Sequence, residues 1–439
     1  MYKPYALFAV LALVSAATCR LQQRENNTQP AGNEQQEKII PAANRLQLYL
    51  PLLQGKRVAV FANHTSIVNN TNLVDTLVKL GITVKVIFGP EHGFRGTADA
   101  GEKIGNYIDE KTGIPVVSLY GPKRRPSADD LKDSDVMLFD IQDVGTRFYT
   151  YISSMQEYME AAIENNKPLI LLDRPNPNGF YVDGPVLDPA FKSFVGMQPI
   201  PINYGMTMGE YAKMILSEGW LSETAIENLP GEENLPVGSL PSYVQDFSRN
   251  KTLPGGFALL VVPCENYTHD SKYVLPVKPS PNLPDIQSIY WYPSNCWFEG
   301  TVLSEGRGTD KPFQVFGHPS LPANLASFTP HSQPGATNPK LKDKLCYGWD
   351  LSGTPGEVLK RVDNKIQLKW LLEAYRLFPD KDSFFLRNGS SFNRLAGNNV
   401  LIQQVKNGVA EAEIRKSWEP ALSNFKKIRK KYLLYKDFE

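Results

Sequence analysis

No surplus of charge marks this sequence. Its 47 Lys and Arg stand against 46 Asp and Glu, for a formal net charge of +1, and no basic block interrupts it. Nucleic acids are held by clustered cations that neutralise phosphates, so a nucleic-acid partner is not expected. Histidine is scarce, at five residues in 439: His64, His92, His269, His318 and His331. None stands at paired metal-ligand spacing. A trio of His64, His92 and Asp140 is the best metal set on offer, and neither a metal nor another cofactor is expected. The four cysteines include Cys19 near the start, leaving Cys264, Cys296 and Cys346. An odd three argues against a disulfide framework, with one bridge at most. Cys296 lies among Trp291, Tyr292, Trp297 and Phe298 and reads as a buried thiol. No Gly-x-Gly-x-x-Gly follows the first strand and there is no Gly-Lys-Ser/Thr loop, which argues against nucleotide binding. There is no Gly-x-Ser-x-Gly elbow for an acyl-transferring serine.

The apolar run near the start, Tyr5–Val14, is ten residues, too short for an ordinary bilayer-spanning helix. With Lys3 before it and Ser15-Ala16-Ala17-Thr18-Cys19 after it, residues 1–19 read as an export leader. Two outcomes fit: cleavage near Ala17, or a lipid on Cys19. The stretch resembles a bacterial lipoprotein signal, with Ala16 and Thr18 departing from the usual Leu and Gly/Ala. The protein is thus expected outside the cytoplasm of a bacterium, in the periplasm or as a membrane-anchored lipoprotein. Residues 20–41, rich in Gln, Asn and Glu, read as a flexible tether.

What remains has an ordinary globular composition, 42% hydrophobic and 21% charged. It is too long for one ordinary core. Strands are expected at 57–62, 83–88, 115–120, 136–140, 168–173 and 257–262, with helices at 72–80, 150–165 and 208–218 between them. Strands alternating with helices imply βαβ units and a parallel sheet. The fold class is therefore α/β, with a Rossmann-like domain over 42–270. After about residue 270 prolines, aromatic loops and a Gly/Pro/Asn-rich span at 317–339 take over, then helical patterns near 354–378 and 411–435. Residues 271–439 read as a smaller α+β domain that completes a cleft.

Polar clusters sit at the strand ends. Phe88-Gly-Pro-Glu91-His92-Gly-Phe94-Arg95-Gly96 follows the second strand. Asp140-Ile-Gln142-Asp143-Val-Gly-Thr-Arg147-Phe-Tyr149 follows another, and Asp173-Arg174-Pro-Asn176-Pro-Asn-Gly179 another. Loops after successive parallel strands share one edge, where open α/β sheets bind ligands. Asn63, His64, Glu91, His92, Arg95, Asp140, Gln142, Asp143, Arg147, Asp173, Arg174 and Asn176 should converge there, with Glu299 to Asp310 as cover and Phe94, Phe148, Tyr149 and Tyr151 as aromatic faces. Such a cleft suits a sugar: paired carboxylates cleave glycosidic bonds, one protonating the leaving oxygen and one acting as base or nucleophile. Aromatic faces suit sugar rings, and arginines bind carboxylates bidentately.

Gly89–Gly96, Asp140–Tyr149, Asp173–Pro177, Pro279-Ser-Pro-Asn-Leu-Pro284 and Phe298-Glu-Gly-Thr301 with Ser304-Glu305-Gly-Arg307-Gly-Thr309, in this order, together resemble one family, the exo-β-N-acetylmuramidases of the NamZ type. The resemblance covers residues 42–439. It implies a Rossmann-like domain and a smaller C-terminal one with the active site between them. It also implies removal of N-acetylmuramic acid from the non-reducing ends of peptidoglycan fragments, and it places the catalytic glutamate on Glu91. Glu91 is then the general acid, desolvated by Phe88 and Phe94. Asp140, Asp143 and Glu305 compete as the second carboxylate. N-acetylmuramic acid carries a lactyl carboxylate, for which Arg95, Arg147 and Arg307 are available. The alternative is a lipoprotein that binds muropeptides or another anionic sugar without cleaving it.

Overall fold

The computed structural model describes residues 37–96, 105–231, 241–245 and 252–439. The leader and most of the tether lie outside these residues. Ile40 already pairs with Glu265 through both backbone bonds, 3.0 and 2.9 Å, so the fold begins just before the expected end of the tether. Residues 39–439 make one compact unit. Among the described residues no helix is long and apolar enough to cross a membrane.

The chain is mixed α/β, built on a large, mostly parallel sheet. Its strands are β1 Arg57–Ala62, β2 Thr83–Gly89, β3 Tyr107–Ile108, β4 Pro115–Ser118, β5 Val136–Asp140, β6 Leu169–Leu172, β7 Val244–Gln245 and β8 Leu259–Val262. They lie in the order β3-β4-β2-β1-β5-β6-β8-β7, with only β3 antiparallel. The order reverses between β1 and β5, so a crevice opens beyond their carboxyl ends. Register makes those ends level: Phe61 faces Phe88 and Ala62 faces Asp140.

The strands read as continuous apolar runs because both faces are covered. Val58, Val60, Leu138, Ile170 and Leu260 point to one core, with Tyr49 and Leu53 of α1 (Leu46–Leu53) and Leu73 and Leu77 of α2 (Leu73–Lys79). Ala59, Phe61, Met137, Phe139 and Leu171 point to the other, against α3 (Tyr151–Glu164) and α4 (Met208–Ser217). Each fully buried side chain of this size contributes about 1.5–3 kcal/mol. α4 starts where Thr207 accepts from the Glu210 backbone and Glu210 accepts from that of Thr207.

The second half holds α5 (Ile286–Asn295) and a three-stranded antiparallel sheet, β9 Val315–His318, β10 Ala326–Phe328 and β11 Cys346–Asp350, with β11 central. α6 (Ser390–Ala396) and α7 (Glu411–Lys430) follow. The aromatic core here includes Trp291, Trp297, Phe316 and Phe392, and it also takes Val144, Phe148 and Ile202 from the first half. α7 crosses the other way. Ile414 and Trp418 sit in the aromatic core while Leu422 and Phe425 sit under the parallel sheet. Cys264, Cys296 and Cys346 are buried free thiols.

Candidate active site

A cavity of about 540 Å³ lies at the expected sheet edge. Glu91 and His92 enter it from the turn after β2. That turn is tight: Gly93 N donates to Pro90 O at 2.9 Å, and a Cβ on Gly89 would lie 3.0 Å from Phe94 N. His92 adopts φ +68°, which costs a non-glycine residue on the order of 1–2 kcal/mol and marks a place where side-chain position matters more than backbone ease. Its Nε2 lies 3.4 Å from Ser280 Oγ, tying the β2 turn to the Pro279–Pro284 segment. Tyr120, after β4, stands against Glu91: burial, then the charge and hydrogen bond of Glu91, push its phenol up to about 12.

The aromatic lining continues from Tyr151 to Tyr149 (ring centroids 4.7 Å), Tyr292 (6.0 Å) and Phe313 (4.8 Å). Tyr151 accepts from Asn63 Nδ2 at 3.0 Å, and Tyr149 donates to Pro279 O at 2.8 Å. Phe88 and Phe94, expected as the apolar wall around Glu91, are instead fully buried on opposite faces of the sheet.

The expected carboxylates divide sharply. Asp140 is wholly buried and gripped by Arg174, at 2.5 and 2.8 Å. Burial works against the charge on Arg174 and Asp140 outweighs it, so that guanidinium lies above its ordinary value. Asp143 is buried and accepts from Tyr204 (2.5 Å) and Gly145 N (2.6 Å). Glu305 is buried between Lys340 (2.7 Å) and Arg307 (3.3 Å). Burial opposes its charge, but these cations hold its carboxyl below the usual range. None of the three lines the cavity. Glu299 does, paired with Arg307 at 2.6 Å.

Other expected contacts are corrected in the same way. Arg147 is completely buried and donates to the carbonyls of Pro185, Ile200, Leu395 and Ala396 at 2.8–2.9 Å, which leaves it no reach into the cavity. Arg95 is engaged by Asp109 (2.7 Å) and Asp75 (3.0 Å) away from it. Gln142 donates to Pro175 O and Asn176 to Met206 O, each bracing loops behind the wall. Glu91, His92, Phe148, Tyr149, Tyr151 and Arg307 are expected residues that do line the cavity. His64, His92 and Asp140 do not assemble: no cluster of three or more metal-ligating side chains occurs among the described residues.

Tyr120, Arg124, Phe194, Tyr292, Glu299 and Arg394 also line it and were not singled out as site residues from sequence. The strand-end rule reaches Tyr120 and Arg124, which follow β4 as Glu91 follows β2. Nothing in the local sequence of α6 marks Arg394.

Burial raises the Asp143 carboxyl from 3.8 to about 6. A raised carboxyl contributes stability that is whole below pH 4 and lost as pH climbs towards 6, here on the order of 3 kcal/mol. Asn cannot ionise. The stability of Asp143→Asn relative to the native chain, from urea unfolding, should therefore rise between pH 4 and pH 7; a difference that stays flat across that window refutes the assignment.

Two family models cover nearly the whole described fold. One, described as exo-β-N-acetylmuramidase NamZ, N-terminal, matches residues 58–287, and its C-terminal counterpart matches 290–435. The chain is 39% identical over 410 residues to the peptidoglycan β-N-acetylmuramidase NamZ of Bacillus subtilis, covering 88% of this chain and 89% of that one. Two crystal structures of DUF1343-family proteins from Bacteroides fragilis share the fold. One has a TM-score of 0.77 at 42% identity and the other 0.68 at 27%; each alignment covers 91% of this chain and 99% of the other. The chain belongs to the exo-β-N-acetylmuramidase NamZ family of glycoside hydrolases.

Proposed function

We propose that this protein releases terminal β-linked N-acetylmuramic acid from the non-reducing end of peptidoglycan fragments, with Glu91 as the general acid. The observation that carries the reading is one cavity whose wall holds Glu91 and Glu299 together with aromatic rings and arginines. Glycoside cleavage needs two carboxyl functions on the two sides of the scissile bond. Glu91 comes from the β2 turn and Glu299 from the segment after α5, so separate parts of the chain present them. Glu91 protonates the leaving oxygen. Glu299, with Arg307 on it, suits a carboxylate working in its charged form, as base, nucleophile or stabiliser of the oxocarbenium-like transition state. The rings of Tyr149, Tyr151 and Tyr292 offer apolar faces to the pyranose. The name of the Bacillus relative supports the substrate class. A cell-wall substrate agrees with export through residues 1–19, whether or not Cys19 carries a lipid.

The test is hydrolysis of two chromogenic β-glycosides, of N-acetylmuramic acid and of N-acetylglucosamine, by the purified protein. Release from the first alone is expected. Equal release from both overturns the reading of the acid substituent, and release from neither overturns the reaction.

A further inference from the structure

We infer that Arg124 is the specificity residue that receives the acid substituent of the reacting sugar. This rests on the function proposed above and adds which group sets its selectivity.

The cavity wall carries three arginines, and they are not equivalent. Arg307 is already matched by Glu299 at 2.6 Å and Glu305 at 3.3 Å. A third carboxylate there would compete with these two internal ones. Arg124 has no carboxylate within ion-pair reach among the described residues. Its contacts are a long hydrogen bond to Gly121 O, 3.4 Å, and the face of Phe194, 4.0 Å from the ring centroid. Stacking on a ring orients a guanidinium without using its in-plane N–H donors, the ones that meet a carboxylate.

The supporting ring is itself fixed. Ser193 and Gly196 exchange backbone hydrogen bonds of 2.9 Å, which closes a tight turn with Phe194 in it. Ser153, on α3, donates to Phe194 O at 2.8 Å. The arginine is therefore presented from a braced platform, which lowers the ordering cost of binding.

Position completes the argument. Glu91 follows β2 and Arg124 follows β4, and these two strands are paired neighbours in the sheet, so the two side chains enter the cavity from adjacent loops. Arg394 is the third arginine. It stands on α6 with no ion-pair partner among the described residues, and it reaches the cavity from the second half of the chain rather than from a loop adjacent to that of Glu91.

The experiment compares the chromogenic β-glycoside of N-acetylmuramic acid with its lactyl methyl ester, which removes the charge and adds a single methyl group. The native protein should prefer the acid in kcat/KM by about 30-fold or more, the equivalent of roughly 2 kcal/mol for one truncated charge pair. Arg124→Ala should abolish that preference by slowing the acid, and Arg124→Lys, which keeps charge but not the fork, should restore part of it. Three results overturn the inference: an acid preference that survives in Arg124→Ala, an equal loss on both glycosides, or a preference lost in Arg394→Ala instead. Calorimetric binding of free N-acetylmuramic acid and its methyl ester separates this inference from the reaction. Acid-selective binding that Arg124→Ala removes, in a protein that cleaves neither glycoside, sustains Arg124 and ends the proposed reaction. Binding without acid preference in the native protein ends the role of Arg124.

Discussion

Glu91→Gln should lower turnover of a muramic acid glycoside with a poor leaving group by about 10²- to 10⁴-fold, the range a positioned general acid contributes. Glutamine keeps the length and planar end of the side chain and can still hydrogen-bond Tyr120, so binding of N-acetylmuramic acid should survive. What it lacks is a proton to give. The loss should therefore shrink steeply with a dinitrophenyl leaving group, which departs without protonation. Glu299→Gln should behave differently, slowing both glycosides to a similar degree, because a base, nucleophile or electrostatic partner is needed whatever leaves. A loss in Glu91→Gln that is independent of the leaving group would refute its role as acid. An unchanged rate would remove it from the chemistry altogether.

Arg147→Met should cost about 2–5 kcal/mol of stability, because it leaves two buried carbonyls unpaired at about 1–3 kcal/mol each. The guanidinium is solvated by four carbonyls rather than by a counterion. Burial pulls it down to about 9, so at pH 7 it remains a cation. Met fills part of the volume and offers no donor. Ile200 O retains Leu187 N at 3.1 Å and Ala396 O retains Asn398 Nδ2 at 3.4 Å, while the bonds to Pro185 O and Leu395 O are lost outright. The damage reaches function because Leu395 and Ala396 end α6, which carries Arg394. Urea unfolding at pH 7 reads the effect. A loss below about 1 kcal/mol would mean that water replaces the guanidinium, as it can for a typical exposed hydrogen bond.

These cases show what was legible in the residues. β1 and β5 were readable to the residue because an apolar run flanked by turn residues has few other homes. α5 was not, because Pro293 and the prolines before Asp285 read as a broken chain, whereas the structure starts a helix at the Asp285 cap and tolerates Pro293 near its end. The antiparallel sheet of β9, β10 and β11 hid in glycine-rich sequence, since Gly317 and Gly348 face each other where their backbones pass too closely for side chains. At the site, the strand-end rule brought Glu91, His92 and Tyr149 to the cavity but could not say which polar residues there face inward. Asp140 and Arg147 look like ligands in sequence. They are fasteners in space, because each finds its partner in a distant segment: Arg174 for one, the end of α6 for the other. Glu299 was passed over because its neighbour Glu305 sits in the more distinctive motif.

The last stretch of chain has a consequence for the order of folding. α7 joins both cores, and beyond it Leu434 N donates to Glu210 at 2.7 Å, Tyr435 donates to Asp173 at 2.6 Å and Lys436 O receives His269 N at 2.9 Å. The first two of these bonds close loops of 224 and 262 residues. Contacts so distant along the chain form slowly, and the parallel sheet cannot finish its underside until they do. A nascent chain of this protein is therefore still open while its final helix is being made. That delay leaves the polypeptide open until its synthesis ends, exposed to whatever holds a chain before it folds.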